Sequence, residues 1–293
     1  MKIVRVFCGW QNFKSVDEID YVKHIDFIKK YGSSVGEIYG KTYRFTIDDD
    51  YTHAIILNGY ESTKIAPELT IPKENVIAMS HEPIEFLKLT PNYIKYIKKH
   101  VGKYFIGSNA ETFGDPFINY YSYMWHMKPT DTISRKPHLI SLMVSQKHSL
   151  PGHKYRHQLV QRILKTDLPI HIYGRGCPYY MNYNDKRIRG IFKSSEPYET
   201  YTFHICIENI IKEYWFTEKI INPLLYTTTP VYLGCKKIDE FFPNNVVKLT
   251  GNINRDMQLL ADLCKHPDKY IKNIDYKGVF NKVSFENILT HFK

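Results

Sequence analysis

With 293 residues and 43% hydrophobic side chains, the chain can bury two separate α/β cores, and it carries a net charge of +10. No apolar run approaches the roughly 20 residues of a membrane-spanning helix, and no block of consecutive Lys/Arg exceeds two residues, which argues against a polybasic nucleic-acid arm. The five cysteines are odd in number, scattered and free of any C-x-x-C pair, so neither a disulfide framework nor a zinc site is indicated and a reducing cytosol fits.

The N-terminal half reads as alternating strands and helices. Lys2–Phe7 is an apolar opening strand with Cys8-Gly9-Trp10 as its turn, too short and too soon polar for a signal peptide. Val22–Tyr31 has helical spacing, and Tyr51–Leu57 is a second strand ending at Asn58-Gly59. Asp48-Asp49-Asp50 invites a divalent-metal reading, but it precedes a strand rather than following one, so a solvated turn is expected. Asn75–Ser80 is a third strand and delivers His81-Glu82-Pro83 to its carboxyl end, where open sheets gather ligand-handling groups. By itself Glu82 would pass for a surface loop residue, and Glu85 is its rival. Partial burial against Pro83 and Phe86 is expected to raise the Glu82 pKa, with His81 pulling the other way if protonated. Asn92–His100 then reads as a basic helix and Tyr104–Gly107 as a strand, before linker composition over Lys128–Lys136.

The second half opens with the strand Leu139–Val144 with Ser145 at its end, the loop Gln146–Gly152 and the helix His153–Lys165, which carries Arg156 in its first turn. Ile170–Tyr173 is a strand followed by Gly174-Arg175-Gly176, where glycine permits close backbone approach. The most informative stretch is Phe203–Cys235. An apolar strand, Phe203–Ile207, leads to a polar and aromatic loop, Glu208–Phe216. Thr217 then stands as an N-cap, with Glu218 and Lys219 in the first helical turn, and Val231–Gly234 is the next buried strand. Free N–H groups at that helix start, with Lys219 beside them, favour an anion. An isolated Thr-Glu-Lys would be no more than an ordinary capped helix. Val246–Leu249 is a further strand, Met257–Cys264 a helix and Ser284–Phe292 a terminal helix.

The whole string is more specific than its parts. Phe203, Glu208-Asn209, Tyr214, Thr217-Glu218-Lys219 and Pro230-Val231-Tyr232-Leu233-Gly234 resemble the signature of the family 10 glycosyltransferases, the α-1,3/4-fucosyltransferases. That signature runs approximately Phe-x-Leu-x-Phe-Glu-Asn-Ser, a spacer, Tyr-Val-Thr-Glu-Lys, a helix, then Pro-Val-x-Tyr/Trp-Gly. Val144-Ser145-Gln146 with Arg156 is similar to the family's Val-Ser-Asn strand end and diphosphate-gripping Arg, and Tyr173-Gly174 to its Tyr-Gly. Ser80-His81-Glu82 is a partial match to its Tyr-Thr-Gly-Glu general base. Ile210 for the usual Ser and Trp215-Phe216 for a Gly-Tyr-Val type sequence are departures near the donor sugar.

The resemblance implies an α/β protein of the GT-B type, two Rossmann-like lobes facing across a cleft. It divides the chain into an acceptor-binding lobe with the general base at 1–130, a donor-binding lobe at 137–275 and a C-terminal helix at 276–293 that could cross back to the first lobe. It implies an inverting, metal-independent transfer of L-fucose from GDP-fucose to a glycan hydroxyl. Glu82 would be the base, and Ser145, Arg156, Tyr173, Gly174, Glu208, Asn209, Tyr214, Thr217, Glu218 and Lys219 would bind the donor. The expected partners are a nucleotide sugar and a glycan acceptor, without cofactor, metal or nucleic acid. Family members of animals carry a membrane anchor and a stem, and no such segment is read here, which points to a soluble cytoplasmic microbial or viral form. UDP-xylose as donor stays open, as does a non-catalytic glycan-binding or nucleic-acid-binding role.

Overall fold

The computed structural model describes residues 1–8, 38–39, 43–46, 48–57, 68–84, 89–123, 126–127, 129 and 135–292. The helix expected over Val22–Tyr31, the Asn58-Gly59 turn, Glu85 and Phe86 lie outside them. Contacts divide the chain into two compact units: Met1–Trp125 with Glu213–Trp215 and Asn281–Lys293, and His126–Lys212 with Phe216–Phe280.

The first unit is built on a seven-stranded sheet of β1 (Lys2–Cys8), β2 (Ile38–Tyr39), β3 (Tyr43–Thr46), β4 (His53–Leu57), β5 (Val76–Met79), β6 (Lys103–Ile106) and β7 (Phe117–Asn119). Their spatial order is β2-β3-β1-β4-β5-β6-β7, parallel except for the β2–β3 edge pair. Strands β4 and β5 are buried at every position, as parallel strands covered on both faces must be. Helix α1 (Pro91–His100) begins at Thr90, whose side chain accepts from the Tyr93 N–H, and buries Tyr93 and Ile97 in the core with Val76, Ala78 and Tyr104.

The carboxyl terminus completes this unit. Within the C-terminal helix expected at 276–293 the chain forms an α-helix, Tyr276–Val283, and where a terminal helix is expected over Ser284–Phe292 it forms a 3-10 segment, Phe285–His291. Tyr43 donates its hydroxyl to Leu289 O at 2.8 Å and Lys103 its ammonium to His291 O at 2.7 Å. Asp48, Asp49 and Asp50 form a solvated turn in which Asp49 pairs with Arg5 and Thr46 Oγ1 bonds Asp48 Oδ2 at 3.2 Å.

The second unit carries six parallel strands, β8 (His138–Met143), β9 (Ile170–Tyr173), β10 (Ile188–Gly190), β11 (Tyr201–Ile207), β12 (Thr229–Leu233) and β13 (Val247–Lys248). Their order, β10-β9-β8-β11-β12-β13, runs outward from β8 in one direction and then from β11 in the other. Between β8 and β11 the winding reverses, and such a switch point opens a crevice at the strands' carboxyl ends. Helix α2 (Pro151–Ile163) follows β8, α3 (Glu218–Leu225) joins β11 to β12, and α4 (Ile253–Lys265) follows β13. Helix α2 starts two residues before the sequence suggests because Pro151 suits a first helical position. Helix α4 starts four residues early because Asn252 accepts from the N–H groups of Asn254 and Arg255.

Alternate residues of β8 and β11 face opposite ways. Ile140, Leu142, Phe203, Ile205 and Ile207 enter the core with Leu159, Val160, Ile163, Leu260 and Leu263 of α2 and α4. Ser141, His204 and Glu208, buried but polar, occupy the other face.

Candidate active site

A cavity of about 360 Å³ opens at the carboxyl ends of β8, β9 and β11, on the switch point of the second sheet. Met143, Ile205, Cys206, Ile207 and Phe192 give it apolar walls, while Arg156, Lys219, Lys147 and Arg175 bring four cations and Glu218 one carboxylate. Four positive charges against one negative favour a multiply charged anion.

The chain after β11 builds the cationic end. Glu208 is fully buried, and its Oε1 accepts from the Thr217 N–H at 2.9 Å while Oε2 accepts from the Thr217 hydroxyl at 2.8 Å. Thr217 Oγ1 in turn accepts from the Lys219 N–H at 3.4 Å and from its ammonium at 3.0 Å. The Lys219 ammonium also meets Glu218 Oε1 at 3.0 Å and lies 3.7 Å from Glu208 Oε2. Burial pushes the Glu208 carboxyl up from its ordinary value, with Lys219 pulling against it. Burial pulls Lys219 down, but Glu218 and Glu208 outweigh that and raise it, so it stays a cation.

Arg156 comes from the first turn of α2. It is 7% exposed and donates from Nη2 to Asn209 Oδ1. Its Nε is buried without a hydrogen-bond partner. Burial lowers its pKa, opposed by Glu208 and Glu218; a guanidinium nonetheless remains charged. A buried cation with an unused donor, beside the start of α3 and Lys219, is built to receive an anionic oxygen.

Gly174 closes one side, with a left-handed φ of +112°. A Cβ there would stand 2.3 Å from Val144 O, so only glycine lets the turns after β8 and β9 meet.

Of the residues expected from the sequence, Ser145, Arg156, Gly174, Glu218 and Lys219 line the cavity, whereas Glu208, Asn209 and Thr217 hold the lining residues in place. Tyr173 is not among the lining residues. Its hydroxyl sits in a buried network with Tyr201 at 2.8 Å and Glu196 at 3.2 Å. Tyr214 counts with the first unit, where its N–H donates to Gly107 O at 2.8 Å.

Glu82 also belongs to the first unit, two residues after Ser80, whose hydroxyl donates to the Glu82 carbonyl at 2.6 Å. It is exposed rather than partly buried, because Pro83 and His81 turn inward and carry it outward. His81 is 1% exposed, and burial holds its ring down at about 4, so it is neutral at pH 7 and gives Glu82 no positive neighbour. Sequence reasoning missed His204 and Cys206 in the cavity wall, although the two-residue period of β11 marks both as facing away from the core.

Among the described residues, no helix is long and apolar enough to cross a membrane, and no group of three or more His, Cys, Asp or Glu could hold a metal ion.

Comparison with known proteins meets this geometry from another side. Residues 133–291 match the model of glycosyltransferase family 10 (fucosyltransferase), C-term. GDP-fucose protein O-fucosyltransferase 3 of Danio rerio is 32% identical over 81 residues, covering 26% of this chain. The match spans only 18% of that relative's length. A crystal structure of an α1,3-fucosyltransferase superposes with a TM-score of 0.55 at 16% identity, over 99% of this chain and 88% of that one. The α1,3-fucosyltransferase structure with GDP-fucose gives 0.52 at 15% identity, over 99% and 89%. These likenesses establish the α/β fold as that of the GT-B glycosyltransferases. The family match covers more than half of the chain, including every strand and helix around the cavity, and the chain therefore belongs to glycosyltransferase family 10.

Proposed function

We propose that the chain transfers L-fucose from GDP-fucose to a hydroxyl of a glycan acceptor, with inversion and without a metal ion. The observation that carries the reading is the pairing of buried Arg156 with Lys219 and the start of α3 around one cavity. These groups would bind the donor diphosphate and stabilise the charge that grows on it as the bond to the sugar breaks. Glu218, at the first position of α3, offers carboxylate acceptors for a ribose diol. Glu82 would take the proton from the acceptor hydroxyl as its oxygen attacks the anomeric carbon, giving a single displacement. Free Cys177, Cys206, Cys235 and Cys264 are compatible with a reducing compartment, and a cytoplasmic location is part of this reading.

The test is a thermal-shift series with GDP, UDP, GDP-fucose and UDP-xylose, each with and without EDTA. A ligand that binds only the folded chain at about 100 times its Kd stabilises it by about 2.7 kcal/mol. GDP and GDP-fucose should raise the melting temperature equally in EDTA. A larger shift from the uridine compounds would replace the donor, and a GDP shift lost in EDTA would end the metal-free reading.

A further inference from the structure

The turn Gly174-Arg175-Gly176 carries a cation that the diphosphate does not need. Both glycines pack on the backbone leaving β8. A Cβ at Gly176 would stand 2.6 Å from Ser145 O, and the Gly176 N–H donates to Val144 O at 3.0 Å. The chain is thus pinned on either side of Arg175, which is exposed and lines the cavity. Among the described residues its guanidinium has no hydrogen-bond or ion-pair partner.

The turn after β10 lies alongside. The Gly174 N–H donates to Gly190 O at 2.7 Å, and two residues further on Phe192 gives the same cavity an aromatic wall. The Phe192 ring meets that of Tyr173 edge to face, with centroids 6.3 Å apart and planes at 89°. Glu196 secures both: its Oε1 accepts from the Tyr173 hydroxyl at 3.2 Å, and its Oε2 from the Lys193 N–H at 3.2 Å. Tyr173, outside the lining itself, supports a ring that is in it. Strand β10 stands three strands from β11, about 14 Å at the usual strand spacing. A diphosphate held by Arg156 and Lys219, after β8 and β11, therefore leaves room for its nucleoside toward Arg175 and Phe192.

We infer that Phe192 and Arg175 form the nucleobase end of this cavity and select guanine. The inference deepens the reading of the cavity as a nucleoside-diphosphate site and rests on it. An aromatic ring stacks on any base, so Phe192 adds affinity without choice. Arg175 supplies the choice. Guanine presents O6 and N7 as neighbouring acceptors, which a guanidinium fork grips with two N–H groups. Adenine turns an amino donor toward the same fork, and uracil has no N7.

The experiment is calorimetric titration of GDP, IDP, ADP, UDP and inorganic pyrophosphate into the intact chain and its variants, with melting temperatures to confirm folding. IDP keeps the O6 and N7 of guanine and should bind like GDP. ADP and UDP should bind about 5- to 150-fold more weakly, the range for one bidentate base contact. Arg175→Ala should bring GDP down to the level of ADP and leave pyrophosphate within about twofold, since base contacts specify and phosphate contacts position. Arg175→Lys keeps the charge without the fork, so the preference for GDP should stay lost. Phe192→Ala should weaken all four nucleotides alike, about 5- to 150-fold, and spare pyrophosphate. Phe192→Tyr keeps the ring and should bind within about threefold of the parent chain. Should the Ala variant not fold, Phe192→Leu, apolar but without a ring, takes its place with the same expectation. Pyrophosphate weakened as much as GDP by Arg175→Ala, or the GDP preference regained in Arg175→Lys, would return Arg175 to the phosphates and overturn the inference. Equal binding of GDP, ADP and UDP by the parent chain would overturn it, as would unchanged nucleotide affinity in the Phe192 variants. In each of these cases GDP still binds, and the functional reading stands. If the parent chain binds no nucleotide, that reading fails as well.

Discussion

Glu82 and Glu208 each follow a parallel strand, one in each sheet, yet they live in opposite surroundings. Glu82 stands three residues beyond β5, exposed, on a turn whose neighbours His81 and Pro83 are buried. Glu208 follows β11 directly and is fully buried, with each oxygen bonded to Thr217 and the Lys219 ammonium 3.7 Å away. An exposed carboxylate is accessible to what reaches it from solvent. A buried and doubly bonded one is committed to its own protein, and it works by fixing the groups it touches. The two units differ in the same sense. The first unit presents Glu82 on an exposed turn, whereas the second surrounds a cavity with two hydrogen-bonded polar pairs, buried Arg156 with half-buried Asn209 and buried Glu208 with buried Thr217.

The largest expected effect tests whether the exposed carboxylate does the chemistry. Glu82→Gln should lower fucosyl transfer about 10²- to 10⁴-fold, the usual contribution of a general base, and leave GDP affinity within about twofold. Glu85→Gln is the control, expected to be mild. If Glu85→Gln is the inactive variant, the base has been assigned to the wrong carboxylate, while the contrast between the two units stands. Transfer rates at saturating donor, with melting temperatures to confirm folding, decide between them.

Next in size is the loss of a cation from the second unit. Arg156→Ala and Lys219→Ala each remove a charge-assisted bond of about 1.5–3 kcal/mol, so GDP should bind roughly 10- to 150-fold more weakly. Lys219→Ala should also lower the melting temperature, since the partly paired Glu208 would be left buried without its countercharge. Equal losses of GDP affinity in Glu82→Gln and in these two variants would dissolve the division of labour between the units.

The smallest effect is one that both units share. Burial holds His81 of the first unit down at about 4 and His204 of the second at about 3, against an ordinary value of 6.5. As pH falls below about 6.5 the unfolded chain takes up these protons and the folded chain does not. The associated stability is therefore complete above pH 6.5 and is lost as pH falls toward 4. Between pH 7 and 5 each ring should cost about 2 kcal/mol, at 1.36 kcal/mol per unit over 1.5 units. Urea unfolding at the two pH values should show a smaller difference in His81→Gln and in His204→Gln than in the parent chain. A difference unchanged in one variant would mean that its ring titrates alike in both states.

The sequence carried much of the second unit and less of the first. Thr217-Glu218-Lys219 was legible as a capped helix start because capping is local: an oxygen at Thr217 meets an N–H two residues on. Arg156 was legible through its place in a helix that follows a strand. Glu208 could be named but not assigned a job, since its burial depends on Thr217 and Lys219 folding back over it. Tyr173 and Tyr214 were named from the separate motifs that contain them, whereas the bonds of the Tyr173 hydroxyl to Tyr201 and Glu196 and of the Tyr214 N–H to Gly107 O are set by residues outside those motifs. The tie between Gly152 and the exit of β11 gave no signal at all, because the Asn209 carbonyl that the Gly152 N–H meets lies far along the chain and adjacent only across the switch point.

By itself the sequence determined most of the strands, the Thr217 cap and the family, for these rest on short apolar runs, on a hydrogen bond spanning two residues, and on a motif read along one strand–loop–helix. Tertiary structure alone decided which polar groups would be buried together. The sheet order places β8 beside β11, so the loop after one strand and the helix after the other close on the same few ångströms. Burial then strips water from Arg156, His153 and Glu208 and forces each to find its partner within the protein. Desolvation depends on what the rest of the fold packs around a residue, and no local stretch of chain contains that.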